Sequence, residues 1–218
     1  MPFFKKSKPK ETLSRILLCS LGVFCIGLGV GALRYADFGL DPFMSLIQGL
    51  YLRVFRALGF GTGYLIFCGI LLVLILLFDP SKIGFGTILS MILTGYVSEG
   101  LFFFLGFLPE ENFFLRAGGM LLGLLGLCAG SGLYLNAGLG TSPYDAAGLV
   151  ITEKLRDPRR YRWVRIGTDA FCVAAGFLLG SKPGAGTIFM AFFTGPLFAF
   201  FRSRFAAWGR ARGIITWD

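Results

Sequence analysis

Ser81-Lys82-Ile83-Gly84-Phe85-Gly86-Thr87-Ile88 returns as Ser181-Lys182-Pro183-Gly184-Ala185-Gly186-Thr187-Ile188, and each copy runs on to a threonine-glycine pair, Thr94-Gly95 and Thr194-Gly195. The offset, about 100 residues, is close to half of a 218-residue chain. Working outward, it also joins Gly29-Val30-Gly31 to Gly130-Ser131-Gly132, and Phe38-Gly39-Leu40-Asp41-Pro42-Phe43 to Leu139-Gly140-Thr141-Ser142-Pro143-Tyr144. Between these motifs lie apolar runs of the length, about 20 residues, that a helix needs to cross hydrocarbon. The reading is a duplicated half inside a multi-pass membrane chain, the usual construction of transporters and channels.

Composition agrees. The chain is 55% hydrophobic and only 15% charged, against roughly 25% charged for a soluble domain. A soluble enzyme, a disordered chain and a disulfide-stapled secreted module are excluded. The five cysteines, Cys19, Cys25, Cys68, Cys128 and Cys172, sit singly in apolar blocks without a metal-ligand spacing. With no histidine, the commonest general base and metal ligand is missing, so no enzyme activity, metal or cofactor is expected. The net charge of +9 falls in clusters beside apolar blocks, as in cytoplasmic flanks of membrane helices that meet anionic lipid, and is not read as a nucleic-acid surface.

Along the chain, residues 1–12 form a basic cytoplasmic N-terminus and Leu13 to Leu33 an uncleaved first helix. A polar, glycine-containing stretch, Arg34 to Asp41, leads into a short amphipathic piece from Pro42 to Arg56. Two spans follow, Gly63 to Phe78 and Thr87 to Phe107, then an acidic turn at Glu110 and Glu111. The same order starts again at Phe113 to Leu135, with Pro143 to Leu155 as the second short piece. The two repeats are 13–109 and 110–207, and 208–218 is a cytoplasmic tail. Trp163, Trp208 and Trp217 fall where interfacial anchors belong.

The expected fold is an all-α integral membrane protein of about six transmembrane helices plus two short broken or re-entrant helices, arranged as two homologous halves. If the short pieces re-enter, each half has three spans and the repeats are inverted; if they span, each has four and the repeats are parallel. A helix of about 13 residues reaches only about 20 Å, short of a hydrocarbon core of about 30 Å. Length therefore favours the inverted arrangement, with both termini cytoplasmic.

Three features carry a resemblance: Gly-Leu-Asp-Pro-Phe at Gly39 to Phe43, Leu-Asn-Ala-Gly-Leu-Gly-Thr-Ser-Pro-Tyr-Asp at Leu135 to Asp145, and the two Gly-x-Gly-Thr-Ile segments. The chain resembles the YczE/YyaS/YitT group of bacterial multi-pass membrane proteins over nearly its whole length, the YczE branch most. The resemblance implies a protein of the bacterial plasma membrane and carries over no catalytic residue.

Candidate ligand residues cluster at the glycine-rich breaks. Asp41 and Ser142 stand where helix N-caps belong, and Pro42 and Pro143 open the short helices. If those starts lie at membrane depth, their N–H groups can hold a polar or anionic solute; the bland alternative is a pair of capped surface loops. Arg34, Tyr35, Asp37 and Asp41 in one half, with Asn136, Thr141, Ser142, Tyr144 and Asp145 in the other, would contact it, although Arg34 and Asp37 could equally form a structural pair. Glu99 and Asp169 are acids inside apolar spans, candidates for protons or cations unless they reach the headgroups. The Gly-x-Gly-Thr-Ile segments read as packing surfaces, their threonines seven residues apart on one helix face. A small-solute transporter or channel is expected, oligomeric or not, with a non-transporting scaffold or regulator as the alternative.

Overall fold

The computed structural model describes residues 9–109, 112–155 and 161–215. The basic residues before position 9, the turn at Glu110 and Glu111, the loop at 156–160 and Trp217 lie outside them. Eight α-helices make up the described chain: α1 Pro9–Ala36, α2 Pro42–Leu50, α3 Phe60–Phe78, α4 Phe85–Leu105, α5 Phe113–Asn136, α6 Pro143–Lys154, α7 Tyr161–Leu178 and α8 Ala185–Ala211. Four are long and apolar enough to cross a bilayer by themselves, over Glu11–Ala36, Phe60–Phe78, Phe85–Leu105 and Phe113–Asn136. Many of their large apolar side chains face outward, Leu77, Phe104 and Leu122 among them, as hydrocarbon solvent permits.

The centre is the pair α1 and α5, whose backbones meet through glycine. A Cβ at Gly22 would lie 2.7 Å from the Gly130 carbonyl oxygen, and one at Gly29 2.7 Å from that of Gly123. Early residues of one helix thus meet late residues of the other, so the two run antiparallel. Close approach without side chains is the packing that small residues allow in lipid, where burial gives helices little reason to associate. α4 packs on α1 and α8 on α5, while α2 lies on α7 and α3 on α6.

Each short helix returns to the end of the bundle it came from. After α1, the Ala36 carbonyl accepts a hydrogen bond from Arg116 Nε at the start of α5. The chain then dips so that Phe43 and Met44 enter the central core with Tyr64, Leu124 and Cys128. It returns to place Phe60 beside Arg34 and Glu99. The second half does this at the opposite end: Asn136 donates to the Arg202 carbonyl before the dip, and Glu153 reaches Lys82 after it.

Pro42 to Arg56 is less regular than the amphipathic helix expected from the sequence. The α-helix ends at Leu50, and a π-turn at Tyr51–Phe55 and a 3-10 turn at Arg56–Leu58 follow. They bring the chain round to Gly59, whose φ of 83° is open to glycine at little cost.

Candidate functional site

The starts of α2 and α6 are built as their sequences imply. Asp41 caps α2, its Oδ1 accepting from Met44 N at 3.3 Å. Ser142 caps α6, its Oγ accepting from Asp145 N at 3.2 Å, and Pro42 and Pro143 occupy the first turns. The two starts meet: the Phe43 and Tyr144 rings stack at 4.5 Å with 15° between their planes.

Around this stack the second half supplies charge. Tyr144 donates its hydroxyl to Asp169 Oδ1, and Arg165 pairs with Asp145 at 2.6 Å and with Asp169 at 3.4 Å. The Arg165 guanidinium also lies 4.4 Å from the centre of the Tyr144 ring. Asp41 is within electrostatic reach of both Arg165 and Asp169, and its Oδ2 is buried without a hydrogen-bond partner. Arg165 therefore pairs with two carboxylates, Asp145 and Asp169, with the Asp41 carboxyl near them, an arrangement with more carboxyl groups than cations that can take up a proton.

The backbone on the way to each start is held by the other half. Gly86 N donates to the Leu139 carbonyl and Gly186 N to the Phe38 carbonyl, both at 2.8 Å. Thr87 Oγ1 accepts from Gly84 N and donates to the Thr141 carbonyl at 2.7 Å. The Gly-x-Gly-Thr-Ile segments thus pack, but against the opposite break and not only against helices. Their first-turn N–H groups, which no helix satisfies internally, are consumed in this way. Thr141 is accordingly part of a backbone joint.

The remaining sequence candidates lie elsewhere. Asn136 sits at the far end of α5, on Arg202. Arg34, Tyr35 and Asp37 stand at the end where α1 finishes. Asp37 pairs with Arg116 at 3.4 Å, so its partner is not Arg34, the neighbour that sequence spacing suggests. Glu99 closes the start of α3, its two oxygens accepting from Phe60 N and Gly61 N at 3.0 and 3.1 Å. Arg165 belongs by sequence to a basic flank and is absent from the candidates there; the signal that points to it is its spacing to Asp169, one helical turn on.

An all-α bundle with four helices long and apolar enough to cross a bilayer defines an integral membrane protein. The chain belongs to the family of unknown function DUF6198, whose model matches residues 13–203. It is similar to an uncharacterized protein of Haemophilus influenzae, 31% identical over 198 residues that cover 88% of this chain and 83% of the relative. It is also similar to the uncharacterized membrane protein YczE of Bacillus subtilis, 29% identical over 197 residues covering 88% and 86%. The resemblance carried by Gly39 to Phe43 and Leu135 to Asp145 therefore holds. No solved structure matches the chain.

Proposed function

We propose that the protein is a small-solute transporter built as an inverted repeat, with three spans and one re-entrant helix in each half and a coupling site at Asp41, Asp145, Arg165 and Asp169. The observation that carries the reading is the stack of Phe43 on Tyr144, residues that correspond in the two copies, at the meeting point of two broken helices. Discontinuous helices meeting at the interface between repeats, near the bilayer midplane, are where transporters bind solute and coupling ion. Excess carboxylate suits a proton or cation as the coupling species, and the two halves would rock about the α1–α5 contact.

The test uses the purified chain in liposomes that trap a pH-sensitive dye, with a panel of small sugars, amino acids and carboxylates added outside. At least one solute is expected to move protons in wild-type vesicles, with the flux lost in Asp169→Asn. A panel that produces no solute-dependent flux, or a flux unchanged in Asp169→Asn and Arg165→Gln, would count against coupled transport at this site and favour the scaffold alternative.

A further inference from the structure

A second polar region lies away from the Phe43–Tyr144 meeting point, at the end of the bundle where α1 and α4 finish and α5 begins. It is a cavity of about 260 Å³ whose walls include Arg34, Gln48, Arg116 and Lys182. None of the coupling residues named above lines it. Arg34 is only 8% exposed, its guanidinium held between the Phe60 and Phe102 rings at 3.7 and 4.4 Å. That clamp fixes orientation by cation–π attraction, yet Nε and Nη1 are buried without a hydrogen-bond partner. The nearby acids make their hydrogen bonds and ion pairs with other groups, although the Glu99 charge still reaches Arg34. Glu99 is taken by the two N–H groups of α3, and Asp37 by Arg116.

A buried guanidinium with unanswered N–H groups carries a desolvation cost that an acceptor relieves, and its planar fork matches an oxyanion. The remaining wall matches the same ligand. Arg116 and Lys182 add positive charge, so that three cations stand against the Asp37 carboxylate in the wall and the Glu99 carboxylate within electrostatic reach of Arg34. Gln48 Oε1 is buried and unpartnered as well, an acceptor for a hydroxyl on the ligand.

The geometry points to this cavity as a binding site for a phosphate-type oxyanion, with Arg34 as its principal ligand. Such a group comes from soluble phosphate or from the headgroup of an anionic lipid. The second source is relevant because an apolar groove of about 530 Å³ between α1, α4 and α5 shares Tyr35 with the cavity. The site is independent of the transport reading.

The test follows thermal unfolding of the purified full chain in two arms. One adds inorganic phosphate against chloride at equal ionic strength; the other compares nanodiscs of phosphatidylglycerol with phosphatidylcholine. A rise in Tm in the first arm assigns soluble anion, and a rise in the second alone assigns the lipid headgroup. Either rise should vanish in Arg34→Gln and survive in part in Arg34→Lys. Lys182→Glu should weaken apparent affinity, and Asp37→Asn strengthen it, each by about two- to five-fold, as expected for partly exposed charges. No rise in either arm, or a rise kept in Arg34→Gln, overturns the assignment. If Arg34→Gln yields no monodisperse protein, Lys182→Glu and Asp37→Asn decide: opposite shifts support the site, while equal shifts or none refute it.

Discussion

Glu99 lies late in α4, inside what the sequence presents as an apolar span, and an acid there suggests a proton or cation site. Its position explains it otherwise, since both oxygens answer backbone N–H groups at the start of α3 that the helix cannot satisfy itself. Glu99→Ala leaves those donors orphaned and should destabilise by about 1–3 kcal/mol. Glu99→Gln, keeping one acceptor oxygen, should lose less. Thermal unfolding of the two variants in detergent checks this, and a wild-type Tm for Glu99→Ala would contradict the capping role. Nothing in the sequence ties Glu99 to Phe60, because a cap supplied from 39 residues away leaves no local pattern. The Asp41 and Ser142 caps are legible, being local motifs followed by proline. Arg165 is legible only as a helical neighbour of Asp169, whereas its pairing with Asp145 depends on how α6 sits against α7.

The helices themselves can be read from apolar length and proline starts, and their order repeats as the sequence does. Harder to foresee is the surface that the Gly-x-Gly-Thr-Ile segments pack against, since a backbone carbonyl carries no side-chain signature. A Cβ at Gly84 would stand 2.2 Å from the Leu139 carbonyl oxygen and one at Gly184 2.3 Å from that of Phe38, distances no side-chain adjustment can relieve. Gly100 of α4, by contrast, has nothing within 4 Å of where a Cβ would stand. Gly84→Ala should therefore sharply reduce monodisperse yield. Gly100→Ala should be neutral or stabilising by about 0.5–1 kcal/mol, through helix propensity alone. Equal yields for the two variants would show that the joint between break and helix start tolerates displacement. The irregular end of α2 is not legible either: no proline or glycine separates Leu50 from Arg56, and the turn leads to Phe60, which stands against Arg34 and Glu99 from distant helices.

For the whole molecule, chain length already disfavours a spanning α2 or α6, and the contacts supply the stronger reason. Each short helix ends at the face of the bundle from which its chain entered, and α1 runs antiparallel to α5 through Gly22, Gly29, Gly123 and Gly130. In the inverted arrangement proposed above, each half crosses the membrane an odd number of times, which puts the link between them on the side opposite both termini. The positive-charge count does not decide this, because Arg53, Arg56 and Arg116 fall on the disfavoured side in the inverted arrangement. Arg116 has a reason to be there, since it holds Ala36 and Asp37 at the end of α1. The most direct measurement places a single cysteine at Asn112, or at Arg212 as a control, in a cysteine-free background, and treats intact cells with a membrane-impermeant thiol reagent. The inverted arrangement predicts labelling at Asn112 in intact cells and at Arg212 only after permeabilisation; protection of both positions until permeabilisation would contradict it.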